Sequence, residues 1–138
     1  MSLAGYSGTP LAKKLGLKPG MRAWFLDMPD SVRAEIDCEA IGLSEQAAPS
    51  AGIEAAHIFV TRREELARHI EALRQRLAPA GFVWVSWPKK AAKTDTDITE
   101  NIIREVALPI GLVDIKVCAV DEKWSGLKLV IRKTFRTA

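Results

Sequence analysis

The pattern of apolar positions is clearest at residues 81–87, which read Gly-Phe-Val-Trp-Val-Ser-Trp. A strand with one face in water alternates polar and apolar residues, whereas a strand covered on both faces does not. Residues 81–87 are apolar almost without a break, so we predict that they form the central strand of a sheet with helices on both faces. Pro88 should end this strand, because proline has no amide hydrogen to donate to the ladder.

Four further apolar segments predict strands, at residues 22–26, 56–60, 113–120 and 126–134. The first three strands along the chain each lead through a helical segment to the next strand, which favours right-handed parallel crossovers. Only a short polar loop separates the last two strands, so they should pair as an antiparallel hairpin.

Helical patterns occupy most of the segments between these strands. A helix from residue 61 to about residue 77 is predicted by the capping-box pair Thr61 and Glu64, and its apolar stripe comprises Leu66, Ile70, Leu73 and Leu77. A second helix should start at Asp97 as its cap, with an apolar face of Ile98, Ile102 and Val106. Two shorter helices are expected near residues 10–16, capped by Thr9, and near residues 30–37.

Residues 38–56 are rich in small residues and contain a Pro-Ser-Ala-Gly break. We predict that this segment is mostly irregular, with one extended piece at residues 40–43. The whole chain of 138 residues is then a single α/β domain of three layers. Its sheet has five strands, mostly parallel, and ends in the antiparallel hairpin.

Composition narrows the function classes without selecting one. The net charge of +3 and the pI near 9.0 are mild, and favour ordinary solubility over a nucleic-acid surface. Cys38 and Cys118 lack metal-ligand spacing, as do His57 and His69, so no metal is expected. No apolar run has the length of a membrane span and no leader pattern opens the chain, so we expect a cytoplasmic protein with reduced cysteines.

Two segments resemble the strand entries of a Rossmann-like methyltransferase domain. They are residues 15–22, Leu-Gly-Leu-Lys-Pro-Gly-Met-Arg, and residues 77–85, Leu-Ala-Pro-Ala-Gly-Phe-Val-Trp-Val. A terminal antiparallel hairpin is also typical of that fold. The resemblance implies a spatial strand order of 1-2-3-5-4, numbering the five predicted strands as they occur in the chain.

A more specific likeness is to a family of small, uncharacterised bacterial proteins. The segments that carry it are residues 5–12, 87–90, 96–100, 111–121 and 124–128, which include Trp-Pro-Lys-Lys and Trp-Ser-Gly-Leu-Lys. This resemblance implies a degenerate methyltransferase-like fold and no established activity.

The departures from a working methyltransferase lie at the end of the first strand. Such an enzyme places a glycine-rich turn there, which lets the backbone approach its cofactor. This chain has Asp27-Met28-Pro29-Asp30 instead, without a glycine. The acidic residue that holds the ribose at the end of the enzyme's second strand belongs to a part that this shorter chain is expected to lack. We therefore predict that it binds neither S-adenosylmethionine nor another cofactor.

Ligands of open α/β sheets sit outside the carboxyl ends of the parallel strands. The candidate ligand-binding residues there are Asp27, Arg62, Trp87, Lys89, Lys90 and, in the hairpin loop, Trp124. Four of them also have a plainer interpretation: Asp27 as a loop-capping carboxylate, Lys89 and Lys90 as solvated charges offset by Asp95 and Asp97, and Trp124 as a cap on the core. No catalytic residue is assigned, since Ser86 lacks the hydrolase elbow and the histidines fit structural roles.

Three functions remain open at this point. The first is a non-enzymatic domain that binds a protein partner or a small anionic ligand at the strand ends, with a homodimer as an open alternative. The second is a small enzyme that acts on an anionic metabolite through Asp27, Lys89 or Lys90. The third, which the sparse aromatic content disfavours, is a nucleic-acid binder through the basic tail formed by Lys128, Arg132, Lys133 and Arg136.

Overall fold

A six-stranded sheet runs through the centre of the protein, whose structure is a computed structural model that describes residues 10–135. The strands are β1 (Arg22–Leu26), β2 (Ser44–Glu45), β3 (Ile53–Phe59), β4 (Leu77–Pro88), β5 (Leu112–Ala119) and β6 (Trp124–Ile131). Their spatial order is β2-β1-β3-β4-β6-β5. The first four are parallel, and β6 is antiparallel to both β4 and β5.

Helices cover both faces of this sheet. They are α1 (Leu11–Lys14), α2 (Asp30–Ile36), α3 (Cys38–Ile41), α4 (Arg63–Arg76) and α5 (Glu100–Ala107), with 3-10 turns at Lys90–Ala92, Leu108–Ile110 and Lys133–Phe135. One apolar core joins the sheet to α4 and α5, and a second joins its other face to α1 and α2. Among residues 10–135, no helix combines the length and apolar character needed to cross a bilayer.

The central position predicted for residues 81–87 is confirmed. These residues belong to β4, which lies between β3 and β6, and residues 81–86 are all buried. Val83 and Val85 pack on the α4 and α5 side, whereas Phe82 and Trp84 pack on the α1 and α2 side. The indole Nε1 of Trp84 donates to the carbonyl oxygen of Leu15 at 2.8 Å, so its one polar atom is satisfied inside the core.

The predicted sheet of five strands in the order 1-2-3-5-4 needs a correction, because a sixth strand lies at its edge. β2 pairs in parallel with β1 through only two residues. It falls in the segment expected to be irregular, where the predicted extended piece at residues 40–43 is also wrong. α3 includes residues 40 and 41, and a turn follows at residue 42. The amide of Ala40 donates to Asp37 Oδ1 at 3.3 Å, which starts α3 after a left-handed residue. β3 also begins three residues earlier than expected, at Ile53.

The helix caps predicted at Thr61 and Asp97 are wrong, and the side chain of Asp97 explains both errors. Asp97 does not cap its own helix; its Oδ1 accepts from the amide of Arg63 at 2.7 Å and so caps α4. Thr61 gives α4 no side-chain cap, and Thr99 caps α5 by accepting from the amide of Ile102 at 3.2 Å. The cap expected at Thr9 lies outside the described residues.

The apolar stripe predicted for α4 is confirmed, since Leu66, Ile70 and Leu73 are buried. Leu77 is also buried but already belongs to β4. In α5 the buried residues are Ile103 and Ala107, whereas Ile102 and Val106 are only partly buried. Ile98 is buried ahead of the first turn of α5, so a helical stripe counted from it is out of phase with the helix.

Candidate functional site

The turn at the carboxyl end of β1 is closed by its own side chains. Met28 is only 9% exposed and packs in the same core as Val32 and Ile36 of α2. Asp27 has a φ of 52°, in the left-handed region that glycine adopts more easily, and Pro29 has no amide hydrogen. A ligand that needs bare backbone at this turn therefore meets a buried thioether and a proline ring.

The carboxyl end of β4 is open by contrast, and opens on the α5 side of the sheet. A cavity of about 430 Å³ lies there, and three of the predicted residues, Trp87, Lys89 and Lys90, are in its lining. We call this the β4 cavity. The loop from residue 94 to residue 100 completes it with the side chains of Thr94, Thr96, Ile98, Thr99 and Glu100.

The polar groups of this lining differ in how far they are already engaged. Thr96 Oγ1 donates to the carbonyl oxygen of Thr61 at 2.7 Å and accepts from the amide of Ile98 at 3.1 Å. Thr99 Oγ1 serves as the cap of α5, and Glu100 forms an ion pair with Arg104 at 2.6 Å. Lys89 and Lys90 are the cationic groups of the lining and face it from the end of β4.

A second cavity, of about 400 Å³, lies on the α2 side of the same sheet edge. We call it the hairpin cavity; it is lined by Pro29, Ser31 and Glu35 and by the β5–β6 loop from Asp121 to Trp124. The hairpin loop thus lies beside the end of β4, as predicted, because Pro88 pairs with Trp124. This lining carries three carboxylates and one ammonium group, so its charge is opposite to that of the lysines in the β4 cavity.

Trp124 is fixed and mostly covered. It begins β6, two residues before the predicted start, and is 9% exposed. Its ring meets Phe59 edge-on at 5.1 Å, and Lys123 Nζ lies 5.4 Å from its centroid. Asp121 Oδ1 accepts from the amides of Lys123 and Trp124 at 2.8 Å each. The indole therefore supports the core while one part of it reaches the hairpin cavity.

Two further predicted residues, like Trp124, stand apart from the β4 cavity. Asp27 is exposed and is in the lining of neither cavity. Arg62 forms an exposed ion pair with Asp95 at 2.5 Å, and the hydrogen bond and charge of Asp95 raise the pKa of Arg62. The structure thus brings Trp87, Lys89 and Lys90 together and leaves Asp27, Arg62 and Trp124 elsewhere along the sheet edge.

Sequence reasoning did not anticipate a polar pair that lies sealed beneath these sites. His57 on β3 and Ser86 on β4 are joined by a hydrogen bond of 2.7 Å between Nε2 and Oγ. Both are buried, at 2% and 0% exposed, and His57 stacks on Phe59 with ring centroids 4.4 Å apart. The pair depends on strand register across 29 residues, and no local motif carries that information.

Burial also sets the ionisation of His57. Desolvation lowers the pKa of His57 to about 3, so the ring is neutral near pH 7. Its Nδ1 has no hydrogen-bond partner among the described residues. A histidine beside a serine is a pairing used in nucleophilic catalysis, but a substrate cannot reach a pair that solvent does not reach.

The cysteines and the residues of the basic tail do not together form a further site among the described residues. Burial raises the pKa of both Cys38 and Cys118, and both are free thiols. Within residues 10–135, no three metal-ligating side chains come together. The basic tail is divided, because Lys128 lies over Phe82 on the α1 side whereas Arg132 Nη2 donates to the Leu108 carbonyl oxygen at 3.2 Å. Arg136 lies outside the described residues.

Solved structures with a similar fold include methyltransferases and proteins crystallised with S-adenosyl-L-methionine. A SAM-dependent methyltransferase from Aquifex aeolicus matches with a TM-score of 0.58 and 15% identity, over 88% of this chain and 87% of that one. A ribosomal protein L11 methylase from Lactobacillus delbrueckii gives 0.54 and 12%, over 88% and 75%. Aeropyrum pernix fibrillarin with natively bound S-adenosyl-L-methionine gives 0.53 and 14%, over 93% and 71%. The fold is therefore Rossmann-like, of the methyltransferase type.

The family follows from the sequence itself. The chain belongs to DUF3052, a family of proteins of unknown function whose model matches residues 12–133. This confirms the likeness to an uncharacterised family with a methyltransferase-like fold. No curated protein matches the chain significantly in sequence.

Proposed function

We propose that this chain is a non-enzymatic binding domain that does not bind S-adenosylmethionine and that holds a small anionic ligand in the β4 cavity. The turn after β1 is the observation that carries the proposal. In a Rossmann-like site this turn must let its backbone approach the nucleoside and present free amides. Met28 is buried in the turn and Pro29 offers no amide, so these features oppose such binding.

The arrangement of titratable groups supports a binding role over a catalytic one. An enzyme site gathers acid, base or nucleophile around the ligand, with pKa values shifted toward the working pH. Here the strongly shifted histidine, His57, is sealed from solvent, and Asp27 is outside the cavity that holds Lys89 and Lys90. The groups that an anionic-metabolite enzyme would combine are therefore separated in space.

The charges around the β4 cavity favour an anion. The sequence suggested that Asp95 and Asp97 offset the nearby lysines, but both carboxylates are engaged elsewhere. Asp95 pairs with Arg62, and Asp97 caps α4 through the amide of Arg63. The lining also contains Glu100, which is paired with Arg104, so Lys89 and Lys90 meet less opposing charge at the cavity than their neighbours in sequence imply. A cavity of this volume suits a metabolite-sized ligand bearing phosphate or carboxylate groups.

Titration calorimetry tests the cofactor part of the proposal. We expect no heat and no rise in melting temperature with about 1 mM S-adenosylmethionine or S-adenosylhomocysteine, because a ligand that binds the native state must stabilise it. A known methyltransferase in the same buffer provides the positive control. A dissociation constant in the micromolar range would overturn this part.

Thermal-shift screening tests the ligand part, with ATP, citrate and succinate as probes at about 1 mM. A probe present at about 100 times its dissociation constant should stabilise the protein by about 2.7 kcal/mol. Lys89→Gln/Lys90→Gln should abolish the shift. Lys93→Gln is the matched control, since Lys93 lies in the same loop and is not in the cavity lining. No stabilisation by any probe, or an equal loss in the control, would count against the cavity.

A protein partner is the second candidate, and a specific surface favours it. Trp24 and Trp124 are both buried, but Ile115 and Val117 are 57% and 55% exposed on β5, which is an edge strand. Exposed apolar residues on an unpaired edge are typical of association by strand pairing, with a homodimer as the simplest case. Light scattering after size exclusion should then give a dimer mass that Ile115→Lys/Val117→Lys converts to monomer; a monomer at all concentrations would exclude the homodimer.

A further inference from the structure

Three lysines lie close enough on the α1 side of the sheet for their charges to act on one another, and none of them is in the lining of either cavity. We call them the basic cluster: Lys18, Lys116 and Lys128. Lys116 of β5 and Lys128 of β6 are paired in register on neighbouring strands, and Lys128 is paired in turn with Trp84 of β4. Lys18 comes from the segment that follows α1.

Aromatic rings hold the central ammonium group in place. Lys128 Nζ lies 4.2 Å from the centroid of Phe82 and 5.9 Å from that of Trp84. Both rings are buried in the core, and Trp84 is tied to α1 through its hydrogen bond to Leu15. Rings stabilise a cation over their faces without neutralising it. The ammonium is therefore positioned while its charge remains available to a ligand.

The backbone after α1 approaches this ammonium closely. Gly16 has a φ of 76°, and a Cβ atom there would lie 3.3 Å from Lys128 Nζ. On the next strand, Lys116 Nζ donates to the carbonyl oxygen of Lys14 at 3.5 Å. The absence of a side chain at Gly16 thus leaves the end of α1 close above the two lysines, which are fixed on adjacent strands beneath it.

The cluster lacks a matching negative charge. In the part of the chain that the structure describes, no carboxylate forms an ion pair with Lys18, Lys116 or Lys128. Partial burial lowers the pKa of Lys128, and the charges of Lys116 and Lys18 lower it further. Mutual repulsion among these ammonium groups is the state that a bound anion relieves.

We propose that the basic cluster is a phosphate-binding site, in which Lys116 and Lys128 hold the phosphate oxygens and Lys18 lies at the rim. A phosphate matches the site because its several oxygens accept from more than one ammonium at once and its charge offsets theirs. The phosphate belongs either to a small phosphorylated compound or to the backbone of a nucleic acid. This site uses no residue of the β4 cavity, so it does not depend on the function proposed above.

The plain structural role of these lysines is to neutralise the last carbonyl groups of α1. That role predicts a loss of stability when a lysine is removed and no affinity for phosphate in the unaltered protein. α1 has only four residues, so its dipole offers little for the lysines to stabilise. Ligand binding and stability are therefore measured side by side.

Calorimetry at about 20 mM salt with inorganic pyrophosphate and with a short single-stranded DNA tests the site, because phosphate binding is strongest at low salt. We expect binding of at least one probe and a loss of about tenfold or more in affinity for Lys116→Met and Lys128→Met, since a charge-assisted hydrogen bond is removed. Lys13→Met is the matched control, because Lys13 is an exposed neighbour on α1. Each comparison is repeated in the Lys89→Gln/Lys90→Gln background, which removes any contribution of the β4 cavity to phosphate binding.

Each outcome decides the proposal. Pyrophosphate binding with no gain for DNA assigns the site to small phosphorylated compounds, and tighter DNA binding with a steep salt dependence assigns it to a nucleic-acid backbone. Absence of binding for both probes, or an equal loss in Lys13→Met, would overturn it. Should Lys128→Met fail to fold, the exposed Lys116→Met decides alone, because its side chain is not part of the core.

Discussion

The ends of β1 and β4 occupy equivalent places on one parallel sheet, yet they differ in what they offer a ligand. At the end of β1, Met28 is buried and Asp27 bends the chain through a left-handed conformation. At the end of β4, Trp87, Lys89 and Lys90 open onto a cavity of about 430 Å³. A shared architecture therefore leaves the binding chemistry to the turns, and in this chain the turn after β4 is the one that brings lysines to a cavity.

The two ends also differ in how their surroundings treat charge. The turn after β1 borders the hairpin cavity through Pro29, and the carboxylates of that lining include Glu35 and Glu122. The β4 cavity instead presents lysines, while Asp95 and Asp97 point to other partners. At this edge of the sheet, the lining of the hairpin cavity on one face has more carboxylates than lysines, whereas the lining of the β4 cavity on the other face has more lysines. Substitutions at the two strand ends and in the core between them, followed by measurements of the free energy of unfolding, should distinguish residues that stabilise the fold from residues that are available to a ligand.

The largest effect is expected from the buried pair that lies under the open end. Ser86 directly precedes Trp87, and its partner His57 has a pKa of about 3 in the folded protein against 6.5 in the unfolded chain. As the pH falls, the unfolded chain takes up this proton first. The contribution to stability is therefore complete above about pH 6.5 and is lost progressively down to about pH 3, at about 1.4 kcal/mol per pH unit and roughly 5 kcal/mol in all.

Urea unfolding at several pH values measures this loss. His57→Asn keeps a hydrogen-bonding side chain that cannot take up a proton, so its free energy of unfolding should change much less between pH 6.5 and pH 5. His69→Asn replaces the other histidine by the same residue and is the matched control for the substitution itself. Parallel curves for the unaltered protein and His57→Asn would show that the histidine is not buried in its neutral form.

Truncation at each strand end should give a smaller and unequal effect. Met28→Ala removes a buried side chain and leaves a cavity against α2, so we expect a loss of about 2–5 kcal/mol in the free energy of unfolding. Lys90→Ala changes an exposed residue at the open end and should stay within about 0.5 kcal/mol. Chemical denaturation of both variants makes the comparison. Equal losses would contradict the description of one closed and one open end.

Burial on both faces is the part of the fold that the sequence shows most directly. The nearly unbroken apolar run at residues 81–87 placed β4 at the centre of the sheet, and the short polar loop at residues 121–125 placed the hairpin. The stripe of Leu66, Ile70 and Leu73 identified the buried face of α4 for the same reason. In each case, the spacing of apolar residues reports directly on which side of an element meets the core.

Contacts between distant residues are the part that the sequence does not show. β2 has two residues, too few for any periodicity, and is held by hydrogen bonds to β1. His57 and Ser86 are paired only because of the register of two strands. Asp97 does not cap α5, which follows it, but accepts from the amide of Arg63, 34 residues away in sequence. The β4 cavity was anticipated in Trp87, Lys89 and Lys90 because strand ends gather ligand sites in this architecture. The threonines of its lining and the partners of Asp95 and Asp97 were not predicted, because they depend on contacts between residues that are distant in sequence.

The smallest effect is expected at that long-range cap, which supports the loop of the open end. Asp97→Ala should remove the hydrogen bond to the amide of Arg63 and cost about 1 kcal/mol, the usual value for a lost helix cap. Thr61→Ala is the control, since Thr61 gives α4 no side-chain cap, and it should change stability by less than about 0.5 kcal/mol. Amide hydrogen exchange at the first turn of α4 should quicken in Asp97→Ala alone. If Thr61→Ala lowers the free energy of unfolding more than Asp97→Ala does, Thr61 and not Asp97 caps α4. The loop of the β4 cavity would then not be held to α4 by Asp97.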